Sequence, residues 1–179
     1  MRLLWLFGTF LVCFGCSPNL QSENAPDKRT MINEVRKKAA IKLRNDKKLY
    51  AIGTGAQAMD QIKMLALSFT YHNELTIEEG RKLLIYAVSE FVNCINEEEK
   101  IRPFLADVPF TPKNVEIRIF LKKPDGSDLE YDKLHVISSV DGVFEYEVWD
   151  EASGRLVSVY EETFAEGLDK ITLGKKEAL

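Results

Sequence analysis

The spacing of hydrophobic residues changes near the middle of this chain. In the first half, apolar residues recur every three or four positions, which is typical of α-helices that bury one face. From Asn114 onward, apolar and polar residues alternate, which is typical of β-strands with one buried face. The pattern therefore predicts an α+β domain, in which an N-terminal helical layer packs on a C-terminal β-sheet.

Three main helices are predicted in the first half. Asp27–Lys48 carries a narrow apolar stripe, whereas Ala56–Thr70 is apolar over most of its surface. The third helix, Ile77–Asn96, begins after a capping box in which Thr76 and Glu79 satisfy each other's backbone N–H groups. We expect the second and third helices to form an antiparallel hairpin at the centre of the core.

Four strands and a short C-terminal helix are predicted in the second half. The pair Asp141–Gly142 favours a tight hairpin between two of the strands, and Thr163 is suited to cap the final helix. We therefore expect a four-stranded antiparallel β-meander with one face toward the helices and one toward water. Its predicted strands are Val115–Leu121, Leu134–Ser139, Val143–Trp149 and Leu156–Glu161.

The chain begins with MRLLWLFGTFLVCFGC, in which Arg2 precedes an almost unbroken apolar run. The run is shorter than the roughly 20 residues that cross a membrane, and it suits a signal peptide. It ends in Gly15 and Cys16, and in this it resembles the signal peptide of a bacterial lipoprotein. The resemblance implies that Cys16 is acylated, that residues 1–15 are removed, and that the protein is anchored in the bacterial cell envelope, facing the periplasm or the exterior. The alternative is an ordinary secretory signal peptide, for whose cleavage Pro18 is badly placed.

The chain after the leader is predicted to form one domain on a short tether. Residues 16–26 are polar and contain two prolines, so we expect them to keep the folded domain close to the bilayer. The domain is expected over residues 27–173, followed by a frayed tail over 174–179. The stretch Leu75–Leu121 is similar to parts of uncharacterised bacterial lipoproteins, and this resemblance implies no activity and no site residues.

Charge is distributed unevenly along the chain. Residues 27–48 hold nine Lys or Arg and three Asp or Glu, a net charge of +6, whereas residues 49–179 carry a net charge of −10. A basic helix beside a lipid anchor is suited to bind anionic headgroups, with Lys37, Lys38 and Lys42 as candidate contacts. The alternative is that its apolar stripe docks on the acidic domain and its lysines lie in water. Nucleic acid is not an expected partner, because no aromatic residues interleave with these charges.

The sequence carries no recognisable catalytic, metal-binding or cofactor-binding motif, so no catalytic residue, metal ligand or cofactor is predicted. Gly53 and Gly55 precede a predicted helix and could cradle a phosphate there, but a simple turn over Leu49–Gly55 fits the pattern better. His72 lies in the predicted connection between helices, where a polar loop is the simpler interpretation. Cys94 is predicted to be a buried structural thiol.

One surface of the predicted meander is a candidate contact site. Strict alternation places Phe120 and Trp149 on its outer face, with Tyr160 beside them and Arg118 at the rim. Aromatic residues exposed together on a sheet are typical of a protein contact. The alternative is that the basic helix or the C-terminal helix covers all three aromatic side chains.

The sequence supports two functional hypotheses. In the first, the protein is a non-enzymatic envelope lipoprotein that binds a protein or another envelope component through the face or the edge of its sheet. In the second, it is a membrane-tethered enzyme, such as a hydrolase, with a site near His72 or Gly53–Gly55. A cleft that joins His72 to a carboxylate and a hydroxyl would favour the enzyme, and a flat, patchy surface would favour the binding module.

Overall fold

The computed structural model describes the backbone of residues 27–177 and the side chains of residues 27–174. Cys16, the predicted signal peptide and the predicted tether lie outside these residues. The described chain contains three α-helices, six β-strands and two short 3-10 helices. The elements are α1 (Lys28–Lys47), β1 (Tyr50–Gln57), β2 (Met64–Tyr71), α2 (Ile77–Asn96), the 3-10 helices Glu99–Phe104 and Pro112–Asn114, β3 (Val115–Leu121), β4 (Leu134–Val140), β5 (Val143–Asp150), β6 (Arg155–Thr163) and α3 (Phe164–Glu177).

All six strands belong to one sheet and follow each other across it in chain order, from β1 at one edge to β6 at the other. β2 and β3 are parallel, because α2 returns the chain to the same end of the sheet between them. Every other neighbouring pair is antiparallel. The architecture is therefore an α+β domain with a mixed six-stranded sheet.

The four-stranded antiparallel β-meander predicted from the sequence was therefore wrong. Its four strands exist as β3–β6, but β1 and β2 extend the sheet, and β2 pairs with β3 in parallel. The predicted helix Ala56–Thr70 is instead the end of β1, a turn and most of β2. Its apolar residues fit two periods, since Leu65, Leu67 and Phe69 also alternate along a strand. A short apolar run does not distinguish a buried strand from a helix, and pairing on both sides made it a strand.

The predicted turn over Leu49–Gly55 was also wrong, because most of this segment is strand β1. Gly53 and Gly55 thus lie inside a strand and not at the start of a helix, which is the position that a phosphate cradle requires. A Cβ added to Gly55 would lie 3.2 Å from the Cβ of Ala66 on β2. Glycine therefore lets the two strands of this hairpin pair closely.

Helices α1 and α2 pack side by side on the same face of the sheet and form the core with it. α2 spans the predicted residues, and its capping box is confirmed: the Thr76 hydroxyl accepts from the Glu79 N–H at 3.2 Å, and the Glu79 carboxylate accepts from the Thr76 N–H at 2.9 Å. α1 buries its predicted apolar stripe. The buried residues of α1 are Met31, Ile32, Val35, Ala39 and Leu43, and the largest fully buried side chains of the domain are Tyr146, Phe69, Phe91, Phe110 and Phe144.

The C-terminal helix α3 packs against α2 and β6. Its predicted cap is confirmed, since the Thr163 hydroxyl accepts from the Glu166 N–H at 3.2 Å. The helix continues to Glu177, past residue 173, where we expected the domain to end. Within residues 27–177, no helix has the length and apolar content that a bilayer crossing requires.

Candidate binding face of the sheet

The two faces of the sheet are covered unequally. The core cluster joins α1 and α2 to one face, and no helix within residues 27–177 packs on the other, which we call the open face. Cross-strand register arranges its central residues in two rows. One row holds Ser68, Arg118, Ser138, Glu145 and Glu161, and the other holds Thr70, Phe120, Val136, Glu147 and Ser158.

The open face brings together three of the four residues predicted for the contact patch. Arg118 and Phe120 are half-buried neighbours on β3, and Trp149 follows Glu147 on the same side of β5 with 37% of its surface exposed. Tyr160 lies on the opposite face, where it pairs with Tyr146 and packs against the core. The reason is a register shift in β6, where Val159 is an extra residue opposite Tyr146 and Glu147 and reverses the alternation.

The open face also holds buried polar atoms without hydrogen-bond partners. On this face Arg118 Nε, Ser138 Oγ and Glu147 Oε2 are each buried and unpaired, and elsewhere among the described side chains the same is true of Ser139 Oγ on the helix-covered face and Arg36 Nε on α1. Such an atom costs roughly 1–3 kcal/mol, and most buried polar atoms in folded proteins are paired. Three such atoms on one side of the sheet make this side the candidate binding surface of the described residues.

The electrostatics of Glu147 agree with this description. Burial raises the pKa of the Glu147 carboxyl, and the nearby Glu145 raises it further, while Arg118 acts in the opposite direction. The net pKa is above the ordinary value, because no cation within residues 27–174 forms an ion pair with this carboxylate. The site can therefore accept a hydrogen-bond donor or a positive charge.

A second buried carboxylate, Glu162, lies on the helix-covered face and is fully paired. It accepts hydrogen bonds from Arg81 Nε at 2.7 Å, Tyr146 Oη at 2.7 Å and Lys170 Nζ at 2.8 Å. Burial alone would raise the pKa of Glu162, but these three hydrogen bonds outweigh it and the net pKa is lowered. The cluster ties α2, β5, β6 and α3 together, so we interpret it as structural.

The basic helix α1 uses much of its charge within the domain. Lys38 pairs with Glu97 at 2.8 Å, and Lys42 lies 3.2 Å from Asp46 and 3.5 Å from Glu90. Lys37 is exposed and forms no ion pair with the described residues. Of the three candidate membrane contacts, Lys37 is thus the most available. The apolar stripe of α1 packs on the rest of the domain, as expected if the helix docks on the acidic domain.

The positions considered for chemistry do not converge on a cleft. The His72 ring packs edge-on against Tyr50, with 5.7 Å between ring centroids, and no group of three or more metal-ligating side chains occurs within the described residues. Gly53 and Gly55 belong to a strand. Cys94 is buried, and burial raises the pKa of its thiol. Such a thiol is a poor nucleophile at neutral pH.

Sequence reasoning missed two members of the open face, Ser138 and Val136. Both are almost fully buried although no described helix covers them. Their positions follow from the alternation along β4, where Ile137 and Ser139 face the core. The alternation of β4 was visible in the sequence, but Ser138 and Ser139 are both polar. The sequence therefore does not show which of the two faces the core.

Comparisons with protein-family models, with curated proteins and with solved structures found no match to this chain.

Proposed function

We propose that this protein is a non-enzymatic binding module of the bacterial cell envelope, held at a membrane through acylated Cys16, whose open face contacts a protein or another envelope component. The observation that supports the proposal best is the set of three unpaired buried polar atoms, Arg118 Nε, Ser138 Oγ and Glu147 Oε2, on a sheet face without a described helix. A partner that supplies hydrogen bonds to them, after local movement of the side chains that shield them from water, would remove an existing cost and so gain affinity and specificity.

The aromatic residues support the same surface. Trp149 and Phe120 flank the polar atoms, and buried aromatic anchors beside satisfied polar groups are the usual energetic centre of a protein interface. Several carboxylates surround them, so the partner surface is expected to be polar with basic groups.

A membrane-tethered enzyme receives less support. Gly53–Gly55 lies in a strand and lacks the helix start that a phosphate site requires. His72 belongs to no group of three or more metal-ligating side chains among the described residues.

The proposal is tested by site-specific photo-cross-linking in living bacteria that express the full-length protein. Benzoylphenylalanine is introduced at Trp149 on the open face, and separately at Ile41, which is 51% exposed on α1. We expect a discrete cross-linked product from position 149 that is lost when Arg118→Glu is added, and no such product from position 41. Equal labelling from both positions, or labelling that does not depend on Arg118, would argue against the open face.

The anchor is tested separately by metabolic labelling with radioactive palmitate. We expect incorporation into the wild-type protein and none into Cys16→Ala. Native protein that retains its initiator methionine, or an unmodified thiol at Cys16, would contradict the lipoprotein assignment while leaving the binding face untouched.

A further inference from the structure

The two edges of the sheet differ in how they are protected from pairing with another strand. β6 carries Arg155, Glu161 and Glu162 and is interrupted by a bulge. β1 is an eight-residue strand, YAIGTGAQ, with no charged residue and no proline. Its own bulge lies near Ile52, which leaves Gly53–Gln57 in regular pairing with β2. Charges, proline and bulges are the usual devices that block an edge, so β1 has fewer of them than β6, although Arg36 on α1 donates to its Gly55 carbonyl oxygen.

A groove of about 450 Å³ runs between the β1 edge and α1. The strand side of the groove is formed by Thr54, Ala56 and Ala58, which are small. The helix side contributes Ile32 and three cations with one carboxylate. The cations are Lys28, Arg29 and Arg36, and the carboxylate is Asp27. The groove also includes Asn33 on the helix side, so its lining is mixed polar and apolar, and it is positively charged along the α1 wall.

Arg36 is the residue in this wall whose hydrogen bonding is incomplete. Its Nη2 donates to the carbonyl oxygen of Gly55 on β1, but its Nε is buried and has no partner among the described residues. Burial lowers the pKa of this guanidinium, because no carboxylate compensates for the lost water. Lys28 similarly donates to the carbonyl oxygens of Met59 and Asp60, at the turn after β1. Lys28 and Arg36 of α1 therefore lie against β1 and the turn after it, where their hydrogen-bond acceptors are neutral backbone carbonyl groups.

A strand added to β1 would place every second side chain over this groove, with about 6.8 Å between successive ones. Arg29 and Arg36 are separated by about two helical turns, or roughly 10.5 Å, and both have long, flexible side chains. Acidic side chains on the groove side of the added strand would thus be within reach of both guanidinium groups. Self-pairing of β1 across a two-fold axis is disfavoured, because it would bring two basic α1 helices together.

We propose that the β1 edge binds an extended, acidic segment of a partner protein as a seventh strand, with carboxylates at alternate positions bound by Arg36 and Arg29. Main-chain hydrogen bonds to β1 supply affinity, and the charged groove supplies specificity for acidic side chains. This site is separate from the open face, so it can hold or fail independently of the proposed function.

The test uses purified full-length protein in detergent micelles and a fluorescent eight-residue peptide with Glu at alternate positions and Thr or Val between them. Binding is followed by fluorescence anisotropy. We expect saturable binding that weakens with salt, and no binding of a matched peptide with Lys in place of Glu. Absence of saturable binding, or equal binding of the two peptides, would overturn the proposal.

Two variants and one matched control locate the site. Arg36→Gln is expected to weaken binding about tenfold and Arg29→Gln about threefold, because each removes a charge-assisted hydrogen bond. Lys37→Gln removes the same charge from the same helix outside the groove, and its effect is expected to stay below about twofold. Arg29 is exposed, so its variant remains informative if Arg36→Gln fails to fold. Equal effects at Arg29 and Lys37 would show only general attraction to a basic helix, which is contrary to the proposal.

Backbone N-methylation of the peptide distinguishes an added strand from a loosely held acidic chain. Methylation at one set of alternate residues should abolish binding, whereas methylation at the other set should have little effect, because only one set donates to β1. Binding that is insensitive to both patterns would overturn the proposal. Sedimentation that shows a dimer lost in Thr54→Pro would assign the β1 edge to a second copy of this chain instead.

Discussion

Each face of the sheet carries a glutamate that is at least partly buried, and the two carboxylates are in opposite situations. Glu162, on the helix-covered face, accepts hydrogen bonds from Arg81, Lys170 and Tyr146, and its pKa is lowered. Glu147, on the open face, has a buried oxygen without a partner, and its pKa is raised by burial. The difference separates a carboxylate whose hydrogen-bond donors lie within this fold from one with an oxygen that has no donor among the described residues.

Burial alone does not identify a functional residue in this protein. Glu162 has only 1% of its side chain exposed and is the more deeply buried of the two, yet its partners account for its position. Glu147 is less buried, but its Oε2 has no hydrogen-bond partner among the described residues. An unsatisfied group is therefore a better indication of a binding site than a buried one.

The largest expected effect is on stability, from replacing the paired carboxylate. Glu162→Gln should lower the free energy of unfolding by about 3 kcal/mol, because Arg81 loses its buried counter-ion. Urea denaturation of the full-length protein in micelles measures this. Glu161→Gln, at the exposed neighbouring position, is the control and should change stability by less than about 0.5 kcal/mol. A loss below about 1 kcal/mol for Glu162→Gln would remove the contrast between the faces.

The variants Glu162→Gln and Glu147→Gln should change the free energy of unfolding in opposite directions, and both changes should depend on pH. Glu162 has a lowered folded pKa, so its contribution is complete above the ordinary value of 4.5 and is lost as the pH falls through the folded pKa. Glu147 has a raised folded pKa, so its penalty is complete above that pKa and disappears as the pH falls toward 4.5 and below. Compared with wild type at about pH 7, Glu162→Gln should be less stable and Glu147→Gln more stable. Both differences should shrink toward about pH 3 in denaturation curves, and differences that do not change with pH would contradict the assigned charge states.

At neutral pH, Glu147→Gln should increase the free energy of unfolding by up to about 1 kcal/mol, because it removes an unpaired charge from a partly hydrated position. The same change should reduce photo-cross-linking from position 149, because one carboxylate oxygen is replaced by an amide NH2 group and the negative charge offered to the partner is lost. Glu151→Gln, at an exposed position just after β5, is the matched control for stability, because Glu145 itself acts on the pKa of Glu147. A destabilised Glu147→Gln protein would indicate that the carboxylate already has a partner.

The smallest expected effect on stability comes from Trp149→Ser. Because Trp149 is 37% exposed and lies outside the core cluster, the free energy of unfolding should fall by less than about 1 kcal/mol. Partner binding should nevertheless weaken at least about tenfold, as measured by the yield of cross-links from a probe at Phe120. A variant that loses stability but keeps its cross-links would assign Trp149 to the fold.

Elements stabilised by their own neighbours in sequence were predictable. Helix α2 is specified by the capping box of Thr76 and Glu79 and by its apolar stripe, so its bounds followed directly. The hairpin between β4 and β5 turns at Asp141–Gly142, and both residues adopt the positive φ that this pair favours. The interactions that decide these features lie within a few residues of each other.

Elements decided by distant partners were not predictable. The segment that forms β2 carries apolar residues that fit a helix as well as a strand, and only β1 on one side and β3 on the other make it a strand. The face of Tyr160 depends on one extra residue, Val159, opposite β5, and alternation alone cannot reveal such a bulge.

By itself, the sequence determined the α+β class, helix α2 and the strands β3–β6, because local hydrogen bonds and alternation along one segment are enough to specify them. Only the tertiary structure decided the order and parallel pairing of the sheet, the separation of Tyr160 from Phe120 and Trp149, and the contrast between Glu147 and Glu162. The physical reason is that pairing, register and the satisfaction of buried polar groups depend on which distant side chains the fold brings within hydrogen-bond distance.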